Sequence, residues 1–361
     1  MLKFLLLAIT GLIFFNTSAS KCRDSENASE KLSFTPNLHE PPATKSEAEA
    51  FKKFIQEFAP SDEAFVALQR LASKYINKRD WQKASEVFEE HRVFFPEDSV
   101  KFQKIIDLIM QPCDSLIIKN LGDGVNSTGD ELNPKPTADG KKLYFTGGGR
   151  SDNKGVDDIF ISIKGNGAWQ KAINHGSLLN TGKSEAITGI SADGTRILLF
   201  GNYRNSMGRG DIFKINKTIN GWSRIEHFHA PINSGFFECD ATYSGDGKAI
   251  LFISDRPGCV GEYHKKDEPY HGDVWGNTDI FVTIKTDSGW SAPINLGDVI
   301  NTPYAERSPF LHPDGKTLYF SSDGHYGLGY LDVFKADRLN DTSWTEWSEP
   351  VNLGKRINTA G

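Results

Sequence analysis

Four glutamates at one fixed spacing are the first residues that could do chemistry: Glu131, Glu185, Glu238 and Glu306 each follow an asparagine by five positions and precede an Asp-Gly pair by eight. Carboxylates related by such symmetry could ring a channel and bind a cation or a basic group. Two of them flanking a sugar could supply the acid and base of glycoside hydrolysis. The competing reading is structural: each Glu accepts hydrogen bonds that keep repeated units in register, and the periodicity itself favours that.

A second set of reactive types is crowded between Cys259 and Gly276, where Tyr263, His264, Tyr270, His271 and Trp275 stand among lysines and acids. His264, Asp267, Glu268 and His271 are donor types that a metal accepts, but a loop this polar is more often a solvated contact surface, and no metal site is expected here. The aromatics make it a candidate contact for protein or glycan. Cys239 and Cys259 are the best-placed pair for a disulfide, pinning the base of the loop. The four cysteines show no C-x-x-C spacing, so zinc is not indicated. No G-x-S-x-G elbow, H-E-x-x-H or phosphate-binding loop occurs, so the chain is read as non-catalytic and without a cofactor.

The elements that position these residues are set by the repeat. The frame N-x4-E-x7-D-G is met by Asn126, Glu131 and Asp139-Gly140, then by Asn180, Glu185 and Asp193-Gly194. It recurs at Asn233, Glu238 and Asp246-Gly247, and at Asn301, Glu306 and Asp314-Gly315. After each Asp-Gly comes an apolar alternation such as Leu318-Tyr319-Phe320, then a D-[IV]-F triplet beginning at Asp158, Asp211, Asp279 and Asp332, then a Trp. Each unit reads as four short strands, with Asp-Gly as a two-residue hairpin turn having positive φ at both positions. Four-stranded units at this period predict a mainly β fold, a β-propeller of four complete blades plus the start of a fifth, over residues 113–361. From Asp-Gly to D-[IV]-F the separations are 19, 18, 33 and 18 residues, so the Cys259–Gly276 segment is an insertion in blade three.

At these residues the chain resembles the TolB-type, WD-repeat-like propellers of bacterial envelope proteins, whose blades carry P-x-x-x-x-D-G-K-x-L-x-F; Pro309 to Phe320, PFLHPDGKTLYF, matches it closely. Upstream, residues 46–112 carry helical periodicity, with a capping box expected at Ser46 and Glu49 and Phe51, Phe54, Ile55 and Phe58 on one face. Leu68, Leu71, Ala72, Tyr75, Ala84, Phe88 and Pro96 follow the spacing of a tetratricopeptide repeat. The order of helices and propeller is similar to the front half of OmpA-family (PorE-like) proteins of Bacteroidetes. That resemblance implies envelope-protein partners, and it implies further domains, so that the fifth unit, opening at Val351 with Asn358 in frame, is expected to be truncated; the alternative is that this last segment completes a four-bladed ring with the residues just before 126.

Residues 1–20 read as a signal peptide: Lys3, an apolar run to Phe15, then small residues. Residues 21–45 are polar and carry Pro36, Pro41 and Pro42, which suits a flexible linker. Cys22 would allow a lipid anchor, although Lys21 occupies a position where a small residue is wanted. No later apolar run approaches the roughly 20 residues of a membrane span. The net charge of -6 argues against nucleic acid as a partner. The expected role is a protein-binding scaffold of the periplasm or outer membrane, with peptidoglycan or another glycan as the alternative ligand and a glycan hydrolase as the alternative activity.

Overall fold

A computed structural model describes residues 36–38, 40–112, 118–201, 203–208, 210–261 and 278–359. The expected signal peptide, Cys22, Cys113 and the candidate contacts Tyr263, His264, Tyr270, His271 and Trp275 lie outside the described residues.

Four helices come first. Helix α1 (Lys45–Phe58) is capped by Thr44, whose hydroxyl accepts from Glu47 N–H while the Glu47 carboxylate accepts from Thr44 N–H. The capping box therefore sits two residues before the expected Ser46–Glu49, because Thr44-x-x-Glu47 meets the same requirement and Glu47 also takes the Ala43 N–H at 2.7 Å. Helices α2 (Asp62–Asn77), α3 (Trp81–His91) and α4 (Ser99–Met110) follow, capped in the first two cases by Ser61 and Asp80. Phe65, Phe88, Phe95 and Phe102 meet mostly edge to face at 5.3–6.0 Å and form their shared centre. Phe58 departs from its expected buried face: it is 44% exposed and stacks on Phe54 at the helix end.

The propeller has four blades of antiparallel strands. Their inner strands are Asp130–Pro136, Glu185–Ile190, Glu238–Tyr243 and Glu306–Leu311, and the second strands are Lys142–Gly148, Arg196–Gly201, Ala249–Ser254 and Thr317–Ser322. The third strands, each bearing D-[IV]-F, are Asp157–Gly165, Asp211–Thr218, Asp279–Thr286 and Asp332–Asp337. Two-residue pieces fill the outermost position, as where Ile294–Asn295 pairs with Phe281 and Val282. Val351–Asn352, expected to open a fifth unit, pairs with Phe334 and Lys335 and is the outer strand of blade four.

Alternation along a strand sends side chains to both neighbours. In blade three Leu251 and Ile253 join the cluster with Leu318 and Phe320 of blade four. Ile250 and Phe252 join the cluster with Leu198 and Ile212 of blade two. Blades buried on both faces need each other, which is why the repeat must be read as an array. Isolated parallel bridges, Asp157 to Ser184, Gly210 to Phe237 and Thr278 to Ala305, tie each blade to the next.

The Asp-Gly turns differ from expectation. Only the glycines, Gly140, Gly194, Gly247 and Gly315, take positive φ. Each Asp instead turns its carboxylate back onto the N–H two residues on, as Asp246 does to Lys248 at 3.0 Å. That closure leaves the aspartate in ordinary backbone space and needs the left-handed conformation at one residue only.

The helices dock on blade four. Leu328, in the loop before its third strand, belongs to the helical core. The buried Arg70 guanidinium lies 3.6 Å over the Tyr330 ring, and Lys355 donates to the Ile109 carbonyl at 2.6 Å.

Candidate functional site

The recurring polar residues form one hydrogen-bonded latch per blade. In blade three, Asn301 Oδ1 accepts from Ile280 N–H at 2.8 Å, and Asn301 Nδ2 donates to the Ile280 carbonyl at 3.0 Å and to Asn295 Oδ1 at 2.8 Å. Asn295 in turn donates to Asp279 at 2.6 Å and accepts from Gly297 N–H. The frame asparagine of the next unit thus grips the third strand of the blade before it. Asn180 grips Ile159 and Asn358 grips Val333 in the same way. Asn126 is the exception: its Oδ1 is buried without a hydrogen-bond partner.

Each frame glutamate closes the loop that the asparagine begins. Glu306 accepts from Thr302 N–H and hydroxyl, both at 2.8 Å, and from the Ser322 hydroxyl at 2.7 Å. Glu185 accepts from Thr181 N–H and hydroxyl, and Glu238 from Ser234 N–H and hydroxyl, Ser254 and Arg256. Glu131 accepts from Ser127 and from Arg150. Glu185, Glu238 and Glu306 are fully buried. Burial pushes the Glu306 carboxyl well above its usual value and that of Glu185 upward, with the hydroxyl and N–H donors opposing. Burial likewise raises Asp279 and Asp332 to about 7.

Nearer the axis, side chains without a repeat come together. Every inner strand breaks register two or three residues beyond the frame position, and Asn133, Asp240 and Ser308 adopt positive φ there. The bulge re-aims Asp240, which accepts from Arg307 Nε at 2.9 Å and Ser308 N–H at 3.0 Å. Burial pushes the Asp240 carboxyl up, but the charge and hydrogen bond of Arg307, together with the Ser308 N–H and Cys239 thiol donors, more than offset it and leave it below its usual value. Desolvation lowers the Lys135 ammonium, against the attraction of Asp240. Lys135, Asp240 and Arg307, from blades one, three and four, make a mixed-charge lining that the repeat frame does not mark.

Cys239 and Cys259 are free thiols, in place of the expected disulfide. They belong to opposite faces of blade three: Cys239 packs in the cluster shared with blade four, Cys259 against the one shared with blade two. Cys239 pairs in register with Ile253.

Blade two breaks the latch. Where the other blades have Asn174-x-Gly176, Asn295-x-Gly297 and Asn352-x-Gly354, it has His227-Phe228-His229. His227 Nε2 meets Asp211 Oδ2 at 2.6 Å, in the place of the asparagine amide. The exposed His229 stands beside a groove of about 570 Å3 whose lining includes Lys214, Phe228, Pro231 and Trp290. This departure was legible in the sequence, once the Asn-x-Gly step after each Trp is included in the frame.

No known family profile matches the chain, and neither does any curated protein. Among solved structures, similarity is found to the hydrazine synthase of Kuenenia stuttgartiensis, at 19% identity over 56% of this chain and 51% of that one, with a TM-score of 0.33. The α-L-arabinofuranosidase PaAbf62A of Podospora anserina is 15% identical over 65% and 70% of the two chains, with a TM-score of 0.38. A puromycin-hydrolysing peptidase of Mycobacterium tuberculosis is 13% identical over 65% and 40%, with a TM-score of 0.33. The chain thus spans about half the length of the first and less than half of the third. At these values the likeness carries no functional argument.

Proposed function

We propose that the chain is a non-catalytic, exported scaffold of the bacterial envelope that binds other proteins through its propeller rim and the helices fused to blade four. The observation that supports this most is the employment of the frame glutamates. Each is occupied by donors from its own loop and its own blade, in a constellation that repeats from unit to unit. A catalytic pair is expected to break symmetry, since its two members do different work.

The helical hairpin spacing resembles a tetratricopeptide repeat, and the blades resemble TolB-type, PorE-like envelope propellers, both of which suit a periplasmic or outer-membrane partner. The helices and blade four share a core through Leu328, so they offer a partner one continuous surface. Photo-crosslinking from rim positions in intact cells tests the reading. A discrete protein adduct is expected; adducts to peptidoglycan alone would favour the glycan-binding alternative.

A further inference from the structure

The His227-Phe228-His229 step is costly to the latch it replaces. In the other blades one asparagine does three things: its amide donates to the D-[IV]-F aspartate, and its Oδ1 accepts from both the next glycine N–H and the frame asparagine. An imidazole whose Nε2–H is committed to Asp211 can do only the first. Asn233 accordingly turns its amide to the Phe228 carbonyl. The contact to the N–H two residues on is given up, and in place of the asparagine Oδ1 the frame asparagine has only the Phe228 carbonyl and a 3.0 Å approach to His227 Nε2.

What the substitution creates is a fixed nitrogen lone pair. An ionised Asp211 can only accept, so the 2.6 Å contact assigns the proton of a neutral His227 ring to Nε2 and leaves Nδ1 with its lone pair. Asp211 also accepts from Met207 and Gly208 N–H and is fully buried, so its position is set by the fold. The Phe213 ring, 4.9 Å away between centroids, packs against the imidazole. His227 Nδ1 faces His229 Nδ1 at 3.4 Å, which is long for a hydrogen bond between the rings. Two nitrogens at that separation, each about 2.0–2.1 Å from one ion, subtend about 110° at it, close to the tetrahedral angle. A buried carboxylate behind a histidine is the usual support for a metal-binding imidazole.

We propose that His227 and His229 bind one divalent transition-metal ion, of the zinc, nickel or copper class, through their Nδ1 atoms. Among the described residues no third histidine, cysteine or acid converges there. The remaining coordination positions face the groove beside Trp290, where water or a donor group of a bound partner fills them. His229 is exposed and free to settle onto the ion, while His227 is held. The inference is independent of the scaffold reading: it stands or falls on these two side chains.

The repeat supplies its own controls, because His227→Asn and His229→Gly restore what the other blades carry. Calorimetric titration of the tag-free chain with zinc should find a site that each single variant weakens by at least about tenfold, with the double variant equal to or more stable than the parent without metal. With copper(II), electron paramagnetic resonance should show coordination by two imidazole nitrogens, reduced to one in His229→Gly. Since His229 is exposed, that variant tests the site without risk to folding. Zinc binding unchanged in the double variant, or no binding by the parent at millimolar zinc, overturns the proposal.

Discussion

Replacing the frame asparagine by alanine should be severe in four units and mild in the first. Asn301 is fully buried and makes three hydrogen bonds. In Asn301→Ala the Ile280 carbonyl still accepts from Leu296 N–H, and Asn295 Oδ1 still accepts from Gly297, so neither is left alone. The Ile280 N–H loses the partner that Asn301 gave it, inside a residue with no exposed surface. An orphaned buried donor costs about 1–3 kcal/mol, and the two other lost bonds about 1 kcal/mol each. The sum is about 3–5 kcal/mol. Asn126 has an unpartnered Oδ1 and one long contact, 3.5 Å, to Glu131, so Asn126→Ala should cost under about 1 kcal/mol. Urea unfolding of the two variants, followed by tryptophan fluorescence and far-ultraviolet circular dichroism together, gives the difference if the two probes coincide. Equal losses in both variants, or a loss under 1 kcal/mol in Asn301→Ala, would refute the latch.

Two further outcomes follow from buried groups. Asp279 and Asp332 keep their protons up to about pH 7 in the fold, whereas the unfolded chain releases them near pH 4. Stability should therefore fall as pH rises from about 4 to about 7, by at most about 4 kcal/mol per carboxyl; Asp332→Asn, which keeps the neutral shape, should flatten that slope, and an unchanged slope would count against it. Cys239, whose thiol burial pushes well up, should resist thiol reagents until the chain unfolds, and peptide mapping without reductant should find no Cys239–Cys259 link.

The blade architecture was legible because its determinants are local: strand alternation, the Asp-Gly turn and the latch residues all lie within one unit or its neighbour. The turn geometry was misjudged, since Asp139 and its counterparts close their turns with the side chain, a choice that residue type alone does not distinguish from positive φ. Cys239 and Cys259 are well placed along the chain, yet Cys239, on the inner strand, packs toward blade four, while Cys259, in the loop beyond the second strand, packs toward blade two. The axial set of Lys135, Asp240 and Arg307 was hidden for another reason. Its members come from three blades, occupy different frame positions, and meet only because bulges in the inner strands turn them inward. His227 and His229 were visible as a break in the pattern, but their meaning needed the distance between them.

In the proposed scaffold the recurring glutamates hold the blades and perform no reaction. That assignment is tested most directly by assaying the purified chain and its Glu306→Gln variant for release of soluble fragments from envelope glycans, with the melting temperature of each measured alongside. No release above background is expected from either protein, and a changed melting temperature is expected in the variant, because Glu306 ties Thr302 to Ser322. Glycan release by the parent that disappears in Glu306→Gln at an unaltered melting temperature would contradict it.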